Sequence, residues 1–114
     1  MAGDASYAYG KLSIAIDRLT VGPGHIRERL NEAFLDFLSV SPEDLPDHLK
    51  SDWSWIMEQL TRFGPRHNWK GEESQGSVEH TLSRIKNSTG VKIAKRLVRV
   101  HEELQVHLQS KGEL

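Results

Sequence analysis

Apolar residues return at helical spacing through most of the chain, and the longest such series governs the expected architecture. From Ser77 to Gln109 they recur at Val78, Leu82, Ile85, Ile93, Leu97, Val100, Leu104 and Leu108, with Thr89 filling the one wide gap. Every step is then three or four residues, a mean period of roughly 3.75 against the 3.6 of an α-helix. The phase continues across Gly90, and a mid-helix glycine costs only about 1 kcal/mol relative to alanine. The pattern therefore predicts one helix over Ser77 to Gln109, about 33 residues and roughly 50 Å long. Lys86 is discordant. It falls beside the apolar stripe, where a straight helix would force it to snorkel, and it argues for a bend near Gly90.

Three shorter helices are predicted upstream. Over Ala5 to Thr20, Ala8, Leu12, Ala15, Ile16 and Leu19 form one face, with Ile14 off it and Gly10 weakening the first turns. Val21-Gly22-Pro23-Gly24 reads as a corner, with Gly22 suited to the left-handed position after a helix and Pro23 to the first position of the next. A second helix over Pro23 to Leu38 would fold back antiparallel, presenting Ile26, Leu30, Ala33, Phe34, Phe37 and Leu38. Ser41-Pro42-Glu43-Asp44 reads as a cap, a helix-starting proline and two dipole-favoured acids, and Pro46 limits it to one turn. The third helix, Asp47 to Arg62, carries Leu49, Trp53, Ile56, Met57 and Leu60 and stops at Gly64-Pro65. Residues Gly64 to Gly76 are polar and without period, an exposed connection, and Ser77 is placed to cap the last helix. No stretch alternates in a two-residue period. The expectation is one all-α domain spanning residues 1–114, a bundle of four main helices with the C-terminal one longest.

GPGHIRERL, followed by LPDHLKSDWSWIMEQLTR and later by RIKNSTGVKIAKRL, resembles a set of small bacterial helical proteins of no assigned activity. The resemblance runs from about Lys11 to about Val100 and implies a shared helical fold. It brings no catalytic or binding residue to this chain. The loop with Pro65, His67 and Trp69 departs most from the pattern.

Composition narrows the picture further. The 114 residues are 37% hydrophobic and 27% charged, near globular averages. The chain has no cysteine, which excludes disulfides and thiolate metal sites and fits a cytoplasmic setting. Neither a leader pattern nor an apolar run of membrane-spanning length is present, so no membrane association is expected. A net charge of −1 offers no global attraction to nucleic acid. The distribution is lopsided, however. Between Glu79 and Glu102 lie six basic residues, Arg84, Lys86, Lys92, Lys95, Arg96 and Arg99, and no acidic one.

Motifs for chemistry are sparse. There is no nucleophile elbow, phosphate-binding glycine loop or zinc-protease HExxH. Six histidines are scattered, and His48 with Asp52, four apart on one helix, suits a solvated pair better than two metal ligands. The carboxylates at Glu43, Asp44, Asp47 and Asp52 are explained by capping and helix dipoles. Gly22 to His25 with Arg27 and Arg29 is weighed as an anion site and read instead as a tight corner, since Pro23 removes a donor and no strand precedes it. The expectation is a protein without catalysis, metal or cofactor.

Two surfaces remain. Trp55 lies about 200° from Trp53 around the helix, so the two cannot share one core face. Grouped with Trp55 are His48, Asp52, Gln59 and Arg62, the mixture of a protein-binding hot spot. The alternative is that Trp55 packs beneath the loop, against Pro65 or Trp69. On the last helix, Arg84, Ser88, Lys92, Lys95 and Arg99 fall within one arc, a basic face some 22 Å long. It fits a solvated face, a side complementary to the acidic Glu43 to Asp52 segment of this or another copy of the chain, an acidic protein partner or, lacking an interleaved aromatic for stacking, less well a nucleic acid. The sequence points first to a protein-interaction or accessory module and second to a nucleic-acid-associated protein.

Overall fold

The computed structural model describes residues 3–114. Five α-helices form it: α1 (Ala5–Val21), α2 (Ile26–Phe37), α3 (Asp47–Leu60), α4 (Ser77–Arg84) and α5 (Asn87–Ser110). A single 3-10 turn, Pro42–Asp44, joins α2 to α3. Between α3 and α4 stands a small antiparallel hairpin of β1 (Arg66–His67) and β2 (Glu73–Gln75).

The all-α architecture follows from the stripes. Ala8, Leu12, Ala15 and Leu19 of α1, Leu30, Ala33 and Phe37 of α2, Leu49, Trp53, Ile56 and Leu60 of α3, and Ile93, Leu97, Val100 and Leu104 of α5 bury themselves in one core. The longest helix, α5, is the shared wall against which α1, α2 and α3 all pack. Both α1 and α3 run antiparallel to it: Tyr9 near the start of α1 stacks on His101, while His48 near the start of α3 approaches His107. Asp4 caps α1, accepting the N–H groups of Ser6 and Tyr7 at 2.9 and 3.2 Å. Asp44 ties that start to the 3-10 turn by accepting N–H donations from Asp4 and Ser41, each at 2.9 Å. Burial pushes the Asp44 carboxyl up, but these donors outweigh it and hold it below the ordinary carboxylate value.

The C-terminal stretch is two helices rather than one. Ile85 and Lys86 are extended, at φ/ψ of −79°/162° and −78°/156°, so α4 ends and α5 starts afresh on Asn87. The break is held from outside. Arg27 of α2 donates to the Ile85 carbonyl at 3.1 Å, a group that a continuous helix would have used internally, and to the side-chain Oδ1 of Asn87 at 2.9 Å. Ile85 remains buried through the break, which is why the apolar rhythm continues across it. Lys86, the discordant residue, is exposed at the break itself. Gly90 is no hinge. It lies in the first turn of α5 at the α2 contact, where an added Cβ would stand 3.2 Å from Ile26 Cγ2.

Smaller corrections share this origin. Helix α2 starts at Ile26 rather than Pro23, because Gly22 is extended at φ −66° and Gly24 takes the left-handed turn at φ +86°. Leu38 lies beyond the end of α2 and is 55% exposed, not on the buried face. Gly76, not Ser77, occupies the cap of α4. The connection Gly64 to Gly76 contains the hairpin, whose turn is built by Asn68 Oδ1 accepting the N–H groups of Lys70 and Glu72 at 2.9 and 3.0 Å. Strands this short show no two-residue rhythm.

Candidate functional site

The antiparallel passage of α3 along α5 brings the two candidate surfaces together. Asp52 and Trp55, three apart on α3, face Arg96 on α5. Arg96 Nη1 donates to Asp52 Oδ1 at 2.9 Å, with the two side chains 34% and 18% exposed. Its guanidinium carbon sits 4.4 Å from the Trp55 ring centroid, a cation–π contact in a partly desolvated seam. Lys92, Lys95 and Arg99, one turn apart on α5, line an open cleft of about 320 Å³ with Trp55 and Arg96. Among the described residues none of those three exposed cations forms an ion pair. Trp55 is half-buried, packed against the core edge. Trp69, at the hairpin tip, is itself 89% exposed, with the Lys70 ammonium 5.1 Å from its ring.

Other members of the expected sets lie elsewhere. His48 is exposed near the opposite end of α3, its ring 6.1 Å from that of His107. Gln59 is half-buried one turn beyond Trp55. Arg62 and Arg84 flank Phe63, at 5.5 and 5.1 Å from its ring, so the break before α5 separates Arg84 from the basic face. Ser88 is exposed in the first turn of α5. Arg96 belongs to neither surface on the helical wheel. The available signal was its place about 100° from Leu97, at the border of the buried stripe, where a long basic side chain reaches a neighbouring helix.

Three further arrangements bear on chemistry. At the Gly22 to His25 corner, Gly22 N–H donates to the Arg18 carbonyl, and Arg29 donates to the carbonyls of Gly24 and Leu19 at 2.9 and 3.3 Å. With Arg27 committed to the Ile85–Asn87 break, the arginines next to that corner serve structure rather than an anion. In the α1–α5 seam, Ser13 Oγ lies 2.9 Å from His101 Nε2, a serine–histidine contact that sequence spacing did not reveal. Ser13 Oγ also donates to the Tyr9 carbonyl at 2.8 Å, so its proton points into its own helix and His101 Nε2–H is left to donate to the hydroxyl. Burial lowers the His101 pKa, more than neighbouring Glu102 raises it. Finally, Asp52 is paired with Arg96 rather than poised with His48, and no group of three or more His, Asp or Glu suited to a metal occurs among the described residues.

Compared with protein families, curated proteins and solved structures, the chain matches none. No helix among the described residues is long and apolar enough to cross a membrane.

Proposed function

We propose that this chain is a small helical interaction module of the cytoplasm, without catalysis of its own, whose α3–α5 face binds an acidic segment of a protein partner. One observation carries the reading: Lys92, Lys95 and Arg99 present unpaired positive charge beside a Trp55–Arg96–Asp52 cluster held in a fixed arrangement. Tryptophan and arginine are the residues most enriched at binding hot spots, and a pre-positioned anchor loses little side-chain freedom on binding. Three like charges within about 10 Å along the helix repel one another, and an acidic partner relieves that repulsion.

A nucleic acid is the second reading, favoured by the one feature the sequence lacked, an aromatic ring beside the cations. Against it, one face of the Trp55 ring already carries Arg96, which is held by Asp52, so stacking a base on that face requires displacing both contacts.

The experiment is affinity capture from nuclease-treated and untreated extracts, using the natural chain and a Lys92→Glu, Lys95→Glu, Arg99→Glu triple variant. These side chains are exposed, so the variant should fold normally. The expected result is a protein captured by the natural chain, resistant to nuclease and lost with the variant. Capture abolished by nuclease supports the second reading, and a log–log salt slope of about −3 for a defined duplex would accompany it. Identical capture by both chains overturns the assignment of this face. Sedimentation of the purified chain tests the remaining partner, a second copy of itself.

A further inference from the structure

Lys95 belongs to two depressions at once. On its α3 side lies the cationic cleft with Trp55, and on its α1 side lies an apolar groove of about 290 Å³ lined by Leu19, Thr20, Ile26, Val91, Ala94 and Val98. The groove has a simple cause. Val91, Ala94 and Val98 form a second apolar stripe on α5, offset from the buried one, and α1 ends at Val21 before it can cover the first turns of α5. Val91 is left 40% exposed. An apolar groove beside a ridge of three unpaired cations is amphipathic as a surface.

From this geometry we infer that the groove receives the apolar face of an acidic amphipathic helix, whose carboxylates lie along Lys92, Lys95 and Arg99. The inference rests on the proposed acidic partner and specifies its form. Two features select a helix. The α5 wall, Val91 to Val98, has its backbone N–H and C=O groups paired within the helix, and no wall presents an edge to an extended strand. An occupant must therefore satisfy its own backbone, as a helix does when it lays i, i+3, i+4 anchors into a groove. The dimensions agree: Val91 to Val98 spans about 10 Å of helix, two turns, which accommodates two or three anchoring side chains. Charge complementarity selects the acidic flank, and the cations lie on one side of the groove only, which sets the orientation of the bound helix.

The test uses labelled synthetic peptides of about 18 residues, long enough to form isolated helix, read by fluorescence anisotropy with the natural chain and with Val91→Ser. One peptide carries leucines on a single helical face with glutamates along one flank. A second has the same composition scrambled, and a third replaces glutamate by lysine. The patterned acidic peptide should bind at least about tenfold tighter than its scramble, and Val91→Ser, which puts a hydroxyl on the apolar wall, should remove most of that advantage. Equal binding of patterned and scrambled acidic peptides overturns the groove while leaving the acidic-partner reading intact. An advantage that Val91→Ser leaves unchanged overturns it as well, since the apolar contacts then lie elsewhere. Binding of the lysine peptide as tight as the glutamate one, or no binding by any, removes both. A labelled single-stranded oligonucleotide that binds while the acidic peptides do not replaces both with the nucleic-acid reading.

Discussion

Proline at position 86 distinguishes a broken C-terminal helix from a continuous one by the sign of its effect. In the structure Lys86 stands at φ −78°, inside the range that a proline ring imposes, and Ile85 before it is extended, as a residue preceding proline prefers to be. The chain already uses proline in this role: Pro46 precedes α3 at φ −64° and ψ 154°, close to the 156° of Lys86. The Lys86 side chain is exposed, and its N–H is absent from the turn and cap hydrogen bonds, whereas its carbonyl, which proline retains, accepts from Thr89 and Gly90. Lys86→Pro should therefore stabilise by about 0.4–1 kcal/mol through the restricted unfolded chain, raising the melting midpoint by roughly 2–5 °C. In an unbroken helix the same change removes an internal hydrogen bond and clashes with the preceding turn, costing about 3 kcal/mol or more. The assay is urea and thermal unfolding followed by far-ultraviolet ellipticity. Lys92→Pro, within α5, serves as the control that should show the full loss. If Lys86→Pro loses as much stability as Lys92→Pro, the break between α4 and α5 does not exist.

Other expectations follow from the packing. Leu97, fully buried at the centre of α5, should cost about 2–5 kcal/mol on truncation to alanine, whereas Lys95→Ala, on the exposed ridge, should stay within about 0.5 kcal/mol by the same unfolding measurement. Trp55→Ala should destabilise by about 1–3 kcal/mol, because the ring packs on the core edge and carries Arg96. A double-mutant cycle on Asp52 and Arg96 should return a coupling of about 1 kcal/mol, modest because neither side chain is fully enclosed; no coupling would show the pair to be incidental. His101 has a pKa lowered in the folded state, so the folded chain binds fewer protons there than the unfolded one. Its contribution should be complete above about pH 6.5 and be lost as pH falls through the lower folded value, with a slope of at most about 1.4 kcal/mol per pH unit. His101→Gln should flatten the acid limb of stability against pH, and an unchanged limb would exclude this histidine as its source.

The helices were legible because burial on one face imposes a three-to-four-residue rhythm that any core-forming helix must write into its sequence. Leu12, Leu30, Trp53, Ile56, Leu97 and Leu104 could be assigned inward from spacing alone, the start of α3 near Asp47 from the apolar series that follows Pro46, and the Ser41–Asp44 turn from capping chemistry. The break at Ile85–Lys86 does not interrupt that rhythm, and its one trace is Lys86 beside the apolar stripe. Rhythm reports which side chains are buried, and Ile85 stays buried across the break; the carbonyl that the break frees is met by Arg27, 58 residues away. The candidate site divides in the same way. That Trp55 lies off the core stripe, and that α5 carries a run of unopposed cations, were properties of single helices and so readable along the chain. That Asp52, Trp55 and Arg96 form one cluster, that Arg84 stands apart from Lys92, Lys95 and Arg99, and that Ser13 meets His101 depend on which helices pack together and at what register. Spacing within a helix is set by bonds along the chain, whereas contacts between helices are set by how side chains of different segments fill shared space, and only the folded arrangement determines that.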